Sequence, residues 1–220
     1  MSAIIFDIET GPLPEEEFLV AIPPFDPSTV KTGNLGPEKA KAKIDAARAE
    51  HEAKAVERAA LSPLTGRVLA IGYLRDEGAH YLDVETEHKM LSRFWDHYRF
   101  VARREDSMVG HNIFGFDLPF LVRRSWVIGL ADRMPRNIIE KNRYWSPVFV
   151  DTMVRWQLGN YREYVSLNTL AQAYGVGGKP DGVSGADFAR LLTEDQERAF
   201  NYLRNDLDMT FQVALRMGII

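Results

Sequence analysis

The chain has 220 residues, of which 45% are apolar and 26% charged, with a formal net charge of −4 and no cysteine. That length suits one well-cored domain, or one domain with an insertion, and the missing cysteines exclude a disulfide scaffold, an iron–sulfur centre and a cysteine zinc site. No apolar run approaches the length that would span a bilayer.

In chain order, Ala3–Asp7 reads as a buried strand. Neither a basic segment nor an apolar signal region precedes it, so no secretory signal is expected, and a cysteine-free chain fits a cytoplasmic setting. Residues 11–36 are rich in Pro and Gly and read as an irregular loop, longer than a compact domain usually tolerates without a purpose. Pro37 to about Ala60 reads as a helix with proline in its first turn. Residues 38–58 carry six positive and five negative charges, and their large aliphatics are Ile44 and Val56. Such a helix is mostly solvated: a protruding arm, or a clamp over a ligand or protein partner.

Pro63 and Gly66 end that segment. Val68–Leu74 reads as a strand, Asp76–Gly78 as a turn and His80–Val84 as the returning strand of a hairpin. Residues 87–104 show helical periodicity through Met90, Leu91, Phe94, Trp95 and Tyr98. Ser107–Gly110 is a short strand, Phe116 to about Ile128 a helix, and Val148–Asp151 a strand. Ser166–Tyr174 is a helix, 175–185 a loop, and Glu194–Met217 a long helix stopped by Gly218. A hairpin followed by alternating helices and strands predicts an α/β fold, a mixed five-stranded sheet flanked by helices. The whole of 1–220 is expected to form a single domain, with 12–63 as a loop-plus-helix insertion.

Four acids fall in contexts that belong together. Asp7 and Glu9 in IIFDIET are two apart, so a strand turns both to one face. Carboxylates that close repel one another, and burying both needs a cation between them. Oxygen ligands without histidine or cysteine suit Mg2+ or Mn2+. Asp117 in HNIFGFD opens the helix after a strand. In the same segment Asn112 can tie down a turn, and Gly115 permits an unusual backbone angle. Tyr202 and Asp206 in YLRND are four apart and share one helix face.

These three segments resemble the three motifs of the DEDD 3′–5′ exonucleases. Tyr202 places the resemblance in the DEDDy branch, which includes the proofreading domain of family B DNA polymerases. The Asn-x-x-x-Phe-Asp of the second segment is closest to that type, and the chain resembles stand-alone relatives of it. A loop like KPDGVSG before the last helices fits those relatives. The resemblance implies a ribonuclease H-like fold and hydrolysis of phosphodiester bonds at the 3′ end of single-stranded DNA, releasing nucleoside 5′-monophosphates. It also implies two divalent ions, Mg2+ or Mn2+, about 3.5–4 Å apart. Asp7 would bridge them, with Glu9 and Asp206 on the water side and Asp117 outermost, and Tyr202 would orient the attacking water. Thr10 is expected to contact the terminal nucleotide through its backbone N–H, and Asn112 and Phe116 to hold the penultimate one by hydrogen bond and stacking. The alternatives are a 3′–5′ exoribonuclease with the same chemistry, and a non-catalytic nucleic-acid-binding module whose Pro37–Ala60 helix engages a protein.

Charge distribution also suits a single strand. Residues 120–165 hold eight Lys/Arg against four acids, +4, which leaves −8 for the rest of the chain. The same stretch carries Trp126, Tyr144, Trp145, Trp156, Tyr161 and Tyr164, and cations interleaved with aromatics serve phosphates and bases. Asp151 ends a strand and reads as a helix cap, with a supporting place behind the site as the alternative. The GVGGK at 175–179 is no phosphate loop, because Pro180 follows its lysine and no strand leads into it. The five histidines show no ligand spacing; His97 reads as a surface helix residue and His111 as the one nearest the site.

Overall fold

Strand β1 (Ala3–Pro12) sorts its side chains between two cores. Ile4, Phe6 and Ile8 enter one apolar cluster, and Ala3 and Ile5 enter another on the opposite face. The period of two carries this second face on to Asp7 and Glu9. In this computed structural model the described residues are 3–75, 78–136, 138, 148–178 and 185–220, with the side chain of residue 57 excepted. The expected turn at Asp76 and Glu77, the residues Lys141, Arg143, Tyr144 and Trp145, and 179–184 of the expected loop lie outside them.

The sheet has five strands in the order β3-β2-β1-β4-β5. β2 (Gly66–Arg75) and β3 (His80–Asp83) are antiparallel, with Ile71 opposite Asp83. β4 (Ser107–Gly110) is parallel to both β1 and β5 (Phe149–Asp151). β1 runs past Asp7, where the sequence suggested that it would stop, so Asp7 and Glu9 lie within the strand and not at its end. The β1–β4 register covers only Ala3–Ile5, and the acids lie beyond that paired stretch.

The chain divides into two compact units, Gly11–Arg67 and the remainder. In the first, a helix α1 (Glu15–Ala21) forms within the stretch expected to be irregular. Three glutamates in its first turn complement the helix dipole, and Phe18 is buried. A single 3-10 turn follows at Pro27–Thr29. α2 (Pro37–Ala59) is mostly solvated, as its charges require. The loop before it is laid along it: His51 Nε2 is 3.0 Å from the Pro23 carbonyl, and Lys43 Nζ donates to the Lys31 carbonyl at 2.6 Å.

In the second unit, α3 (Glu87–Arg104) buries Met90, Leu91, Phe94, Trp95, Tyr98 and Val101 against the Phe6 face of the sheet. Its last-turn cations suit the dipole, and Glu105 closes it in the left-handed conformation with φ 56°. α4 (Asp117–Val127) covers the same face. Arg124 of α4 is buried and donates to Glu87 of α3 from Nε at 2.9 Å and from Nη2 at 2.6 Å. It is therefore committed to the fold and leaves the set of basic side chains open to a ligand. His97, expected on the surface, is half-buried, with its ring edge-on to Tyr73 at 4.7 Å.

Three further helices close the chain: α6 (Leu167–Tyr174), α7 (Phe188–Glu194) and α8 (Gln196–Arg216), preceded by a short α5 (Thr152–Gln157). Neither α5 nor α7 has the length to show periodicity in sequence. α8 packs on the opposite face of the sheet from α3 through Leu203 and Leu207. Gly72 of β2 permits this: a Cβ there would stand 2.8 Å from Leu207 Cδ1 and 3.0 Å from Leu203 Cγ. Among the described residues no helix is long and apolar enough to cross a membrane.

Candidate active site

α8 lies over the face of β1 that carries Asp7 and Glu9, and the close approach at Gly72 brings its Tyr202–Asp206 face down to them. Ligand oxygens of Asp7, Glu9 and Asp206 all lie within 4.8 Å of one another. Glu9 and Asp206 are buried, while Asp7 is half-buried and faces the groove. At that spacing each ionised pair repels by about 3 kcal/mol at an effective dielectric constant of about 20, so a cation among them offsets a real cost.

Asp117 arrives from the first turn of α4 and lines the same groove of about 370 Å3 as Asp7 and Asp206. Asp117 is 4% exposed, and its Oδ1 accepts no hydrogen bond among the described residues. Burial pushes its pKa up to about 7, and the nearby Asp151 charge adds to the effect, against hydrogen bonds from its own backbone and that of Ile8. A buried carboxylate oxygen with no donor, beside three converged carboxylates, is the donor set that a hard divalent cation requires. The residues present fit such an ion.

Tyr202 is 3% exposed, and its hydroxyl donates to the Asp206 carboxylate. Burial, then the charges of Asp206, Glu9 and Asp7, hold the phenol far above its ordinary pKa. It stays protonated at any working pH and has no capacity to act as a base. Gly185, just beyond the undescribed 179–184, presents bare backbone here. A Cβ on it would reach 3.8 Å from both Glu9 Oε2 and the Tyr202 hydroxyl oxygen.

The segment before Asp117 owes its shape to Asp151, for which the sequence offered both a helix cap and a place behind the site. Asp151 is 2% exposed and does cap α5, accepting from Met153 N–H at 2.9 Å and Val154 N–H at 3.4 Å. It also accepts from Asn112 N–H at Oδ1 and Phe114 N–H at Oδ2, both at 2.9 Å. The unusual backbone angle sits at Asn112, with φ 60°, and not at Gly115. Glycine is needed at 115 for space, since a Cβ there would be 2.2 Å from Asn112 Oδ1. The Asn112 carbonyl accepts from Gly115 and Phe116 N–H, which closes the turn that launches α4.

Asn112 and Phe116 line the groove beside Asp7, Asp117 and Asp206. Phe116 also rests on Phe120, with ring centroids 5.5 Å apart. Thr10 is buried one residue past Glu9 on β1 and is not among the groove-lining residues. Tyr164, marked in the sequence only as one aromatic of a basic stretch, also lines the groove, together with Ser166, Leu167 and Asn168, which the sequence did not place there. His111 lines it too, and both ring nitrogens are engaged, Nδ1 with Thr152 Oγ1 and Nε2 with the Val165 carbonyl, each at 2.9 Å.

A family model described as a predicted 3′–5′ exonuclease related to the exonuclease domain of PolB matches residues 66–220. An uncharacterised protein of Methanocaldococcus jannaschii is 25% identical over 168 residues, 72% of this chain and 89% of that one. The family B DNA polymerase of the hyperthermophilic archaeon Pyrobaculum calidifontis superposes with a TM-score of 0.61 at 18% identity, covering 99% of this chain. The chain spans 24% of that polymerase's length. The fold is thus ribonuclease H-like, a mixed sheet flanked by helices as in the exonuclease domain of such polymerases.

Proposed function

The chain belongs to the family of predicted 3′–5′ exonucleases related to the exonuclease domain of PolB, and from that premise we propose that it removes nucleoside 5′-monophosphates from the 3′ end of single-stranded DNA. The observation that carries the proposal is the convergence of Asp7, Glu9 and Asp206 within 4.8 Å, with the donor-free oxygen of Asp117 on the same groove.

In this reading Asp7, Glu9, Asp117 and Asp206 hold the divalent ions, Mg2+ or Mn2+. When bound, such ions supply an activated water and offset charge on the leaving 3′ oxygen. Tyr202 holds the water: its proton is committed to Asp206, so the phenol oxygen is left to accept a hydrogen bond from the nucleophile and fix its direction. Asn112 and Phe116 hold the penultimate nucleotide from the groove wall, and the Thr10 N–H meets the terminal one. His111 and Asp151 act from behind, by fixing the backbone that carries these groups. The Pro37–Ala59 helix remains the surface for a protein partner.

The test is degradation of 3′- and 5′-labelled single strands of DNA and RNA with Mg2+, Mn2+ or EDTA. The proposal expects mononucleotides from the 3′ end, a faster rate on DNA than on RNA, and no cleavage in EDTA. Asp7→Ala should bind strands and leave them intact. Cleavage that survives EDTA, or label lost only from the 5′ end, overturns it; a faster rate on RNA overturns the substrate assignment alone.

A further inference from the structure

We infer that Tyr164 is the stacking platform for an unpaired base next to the scissile phosphodiester. The inference rests on the exonuclease reading above and deepens it, by naming the residue that grips the strand. Tyr164 lines the same groove as Asp7, Asp117 and Asp206, yet 70% of its surface is exposed. An aromatic ring left in solvent forgoes the stabilisation that burial of its apolar surface would bring.

The backbone under that ring is fixed on both sides. Glu163 N–H donates to the Asn160 carbonyl at 3.0 Å, and Tyr164 N–H to the Arg162 carbonyl at 3.1 Å. The next carbonyl, that of Val165, is held by His111 Nε2 at 2.9 Å, and Ser166 caps α6 by accepting from Thr169 N–H at 3.1 Å. A fixed stem with an uncovered face is a preorganised surface, which spares the ordering cost of binding. Phe116, the other aromatic on the groove, spends part of its ring on Phe120 and the core. Arg162, exposed two residues away, adds a cation for the strand's phosphates.

A flat ring reads any base by its π-face and no base by its edge. The site should therefore take single-stranded 3′ ends of any sequence, and should reject a paired end, whose bases already stack on their neighbours.

The experiment uses a strand carrying 2-aminopurine as the penultimate base, with Ca2+ in place of Mg2+, followed by steady-state kinetics with Mg2+. Stacking on Tyr164 quenches the probe. Tyr164→Ala should weaken the quenching, leaving what Phe116 supplies, and raise KM for the strand about tenfold, with the fall in kcat/KM carried by KM. Tyr164→Phe should retain both quenching and KM, because the ring does the work. Wild-type quenching and KM in Tyr164→Ala overturn the inference, as does a Phe variant that behaves like Ala. The p-nitrophenyl ester of thymidine 5′-monophosphate, tried on the wild-type protein, separates the two claims. If neither ester nor strand is hydrolysed, the exonuclease reading itself fails and this inference falls with it.

Discussion

Replacing Asp151 should loosen the site without touching any atom that faces the groove. Its Oδ1 accepts from Asn112, Met153 and Val154 N–H, and its Oδ2 from Phe114 N–H. Asp151→Ala removes a helix cap, about 1 kcal/mol, and strands two loop donors, about 1.5 kcal/mol each. Relief of its repulsion with Asp117 returns part of that, so a net loss of about 3 kcal/mol is expected. Asp151→Asn keeps the three-acceptor oxygen but turns an N–H2 toward Phe114 N–H, and should cost about half as much. Urea unfolding in EDTA at pH 7, followed by circular dichroism, gives both values. Strand cleavage should fall in the same order, because the turn at 112–116 sets where Asp117 points. A loss under about 1 kcal/mol for Asp151→Ala, or equal losses for Ala and Asn, would refute the reasoning.

Asp117, with its pKa raised from 3.8 to about 7, favours the protonated carboxyl in the metal-free fold. The stability it contributes is fully present below about pH 4 and is lost as pH rises from there through about 7; Asp117→Asn, which keeps no charge to desolvate, should gain on wild type by as much as about 4 kcal/mol at pH 8 and by less than half of that at pH 5 in EDTA. Equal offsets at the two pH values, read by urea unfolding, would contradict this. Tyr202→Phe should lower kcat by as much as about a hundredfold with little change in KM, and the pH–rate profile should keep its shape, since the phenol stays protonated. A limb of the profile that vanishes with the hydroxyl would point to acid–base work instead. Gly72→Ala should cost about 1–3 kcal/mol and lower kcat, because its methyl would press on Leu203 and Leu207 and lift Asp206 from β1. A variant of wild-type stability and rate would show that α8 has room to spare.

The acids were legible because each pair obeys the period of its own element. Asp7 and Glu9 are two apart on a strand, and Tyr202 and Asp206 four apart on a helix, so each pair shares a face before any tertiary contact is known. That the last helix packs beside the first strand was not readable from either pair; it was a requirement of the resemblance. What escaped was contact between segments distant in sequence. Asp151 looks like a cap because its links to Met153 and Val154 are local, while those to Asn112 and Phe114 span 39 and 37 residues. Arg124 counted as a surface cation until Glu87, also 37 residues away, buried it. α1 hid in a Pro-rich stretch, and its one buried residue, Phe18, gives no periodicity. Tyr164 stood out only as one of several aromatics in a basic stretch: its place on the groove depends on His111 holding the Val165 carbonyl, 54 residues apart.

The proposed chemistry depends on the four carboxylates holding cations. Anomalous diffraction from crystals soaked in Mn2+ with a nucleoside 5′-monophosphate tests that directly. Manganese peaks are expected among Asp7, Glu9, Asp117 and Asp206, and are expected to be lost in Asp206→Asn. Crystals saturated with Mn2+ that show no peak at these four residues, or a peak that survives the substitution unchanged, would contradict it.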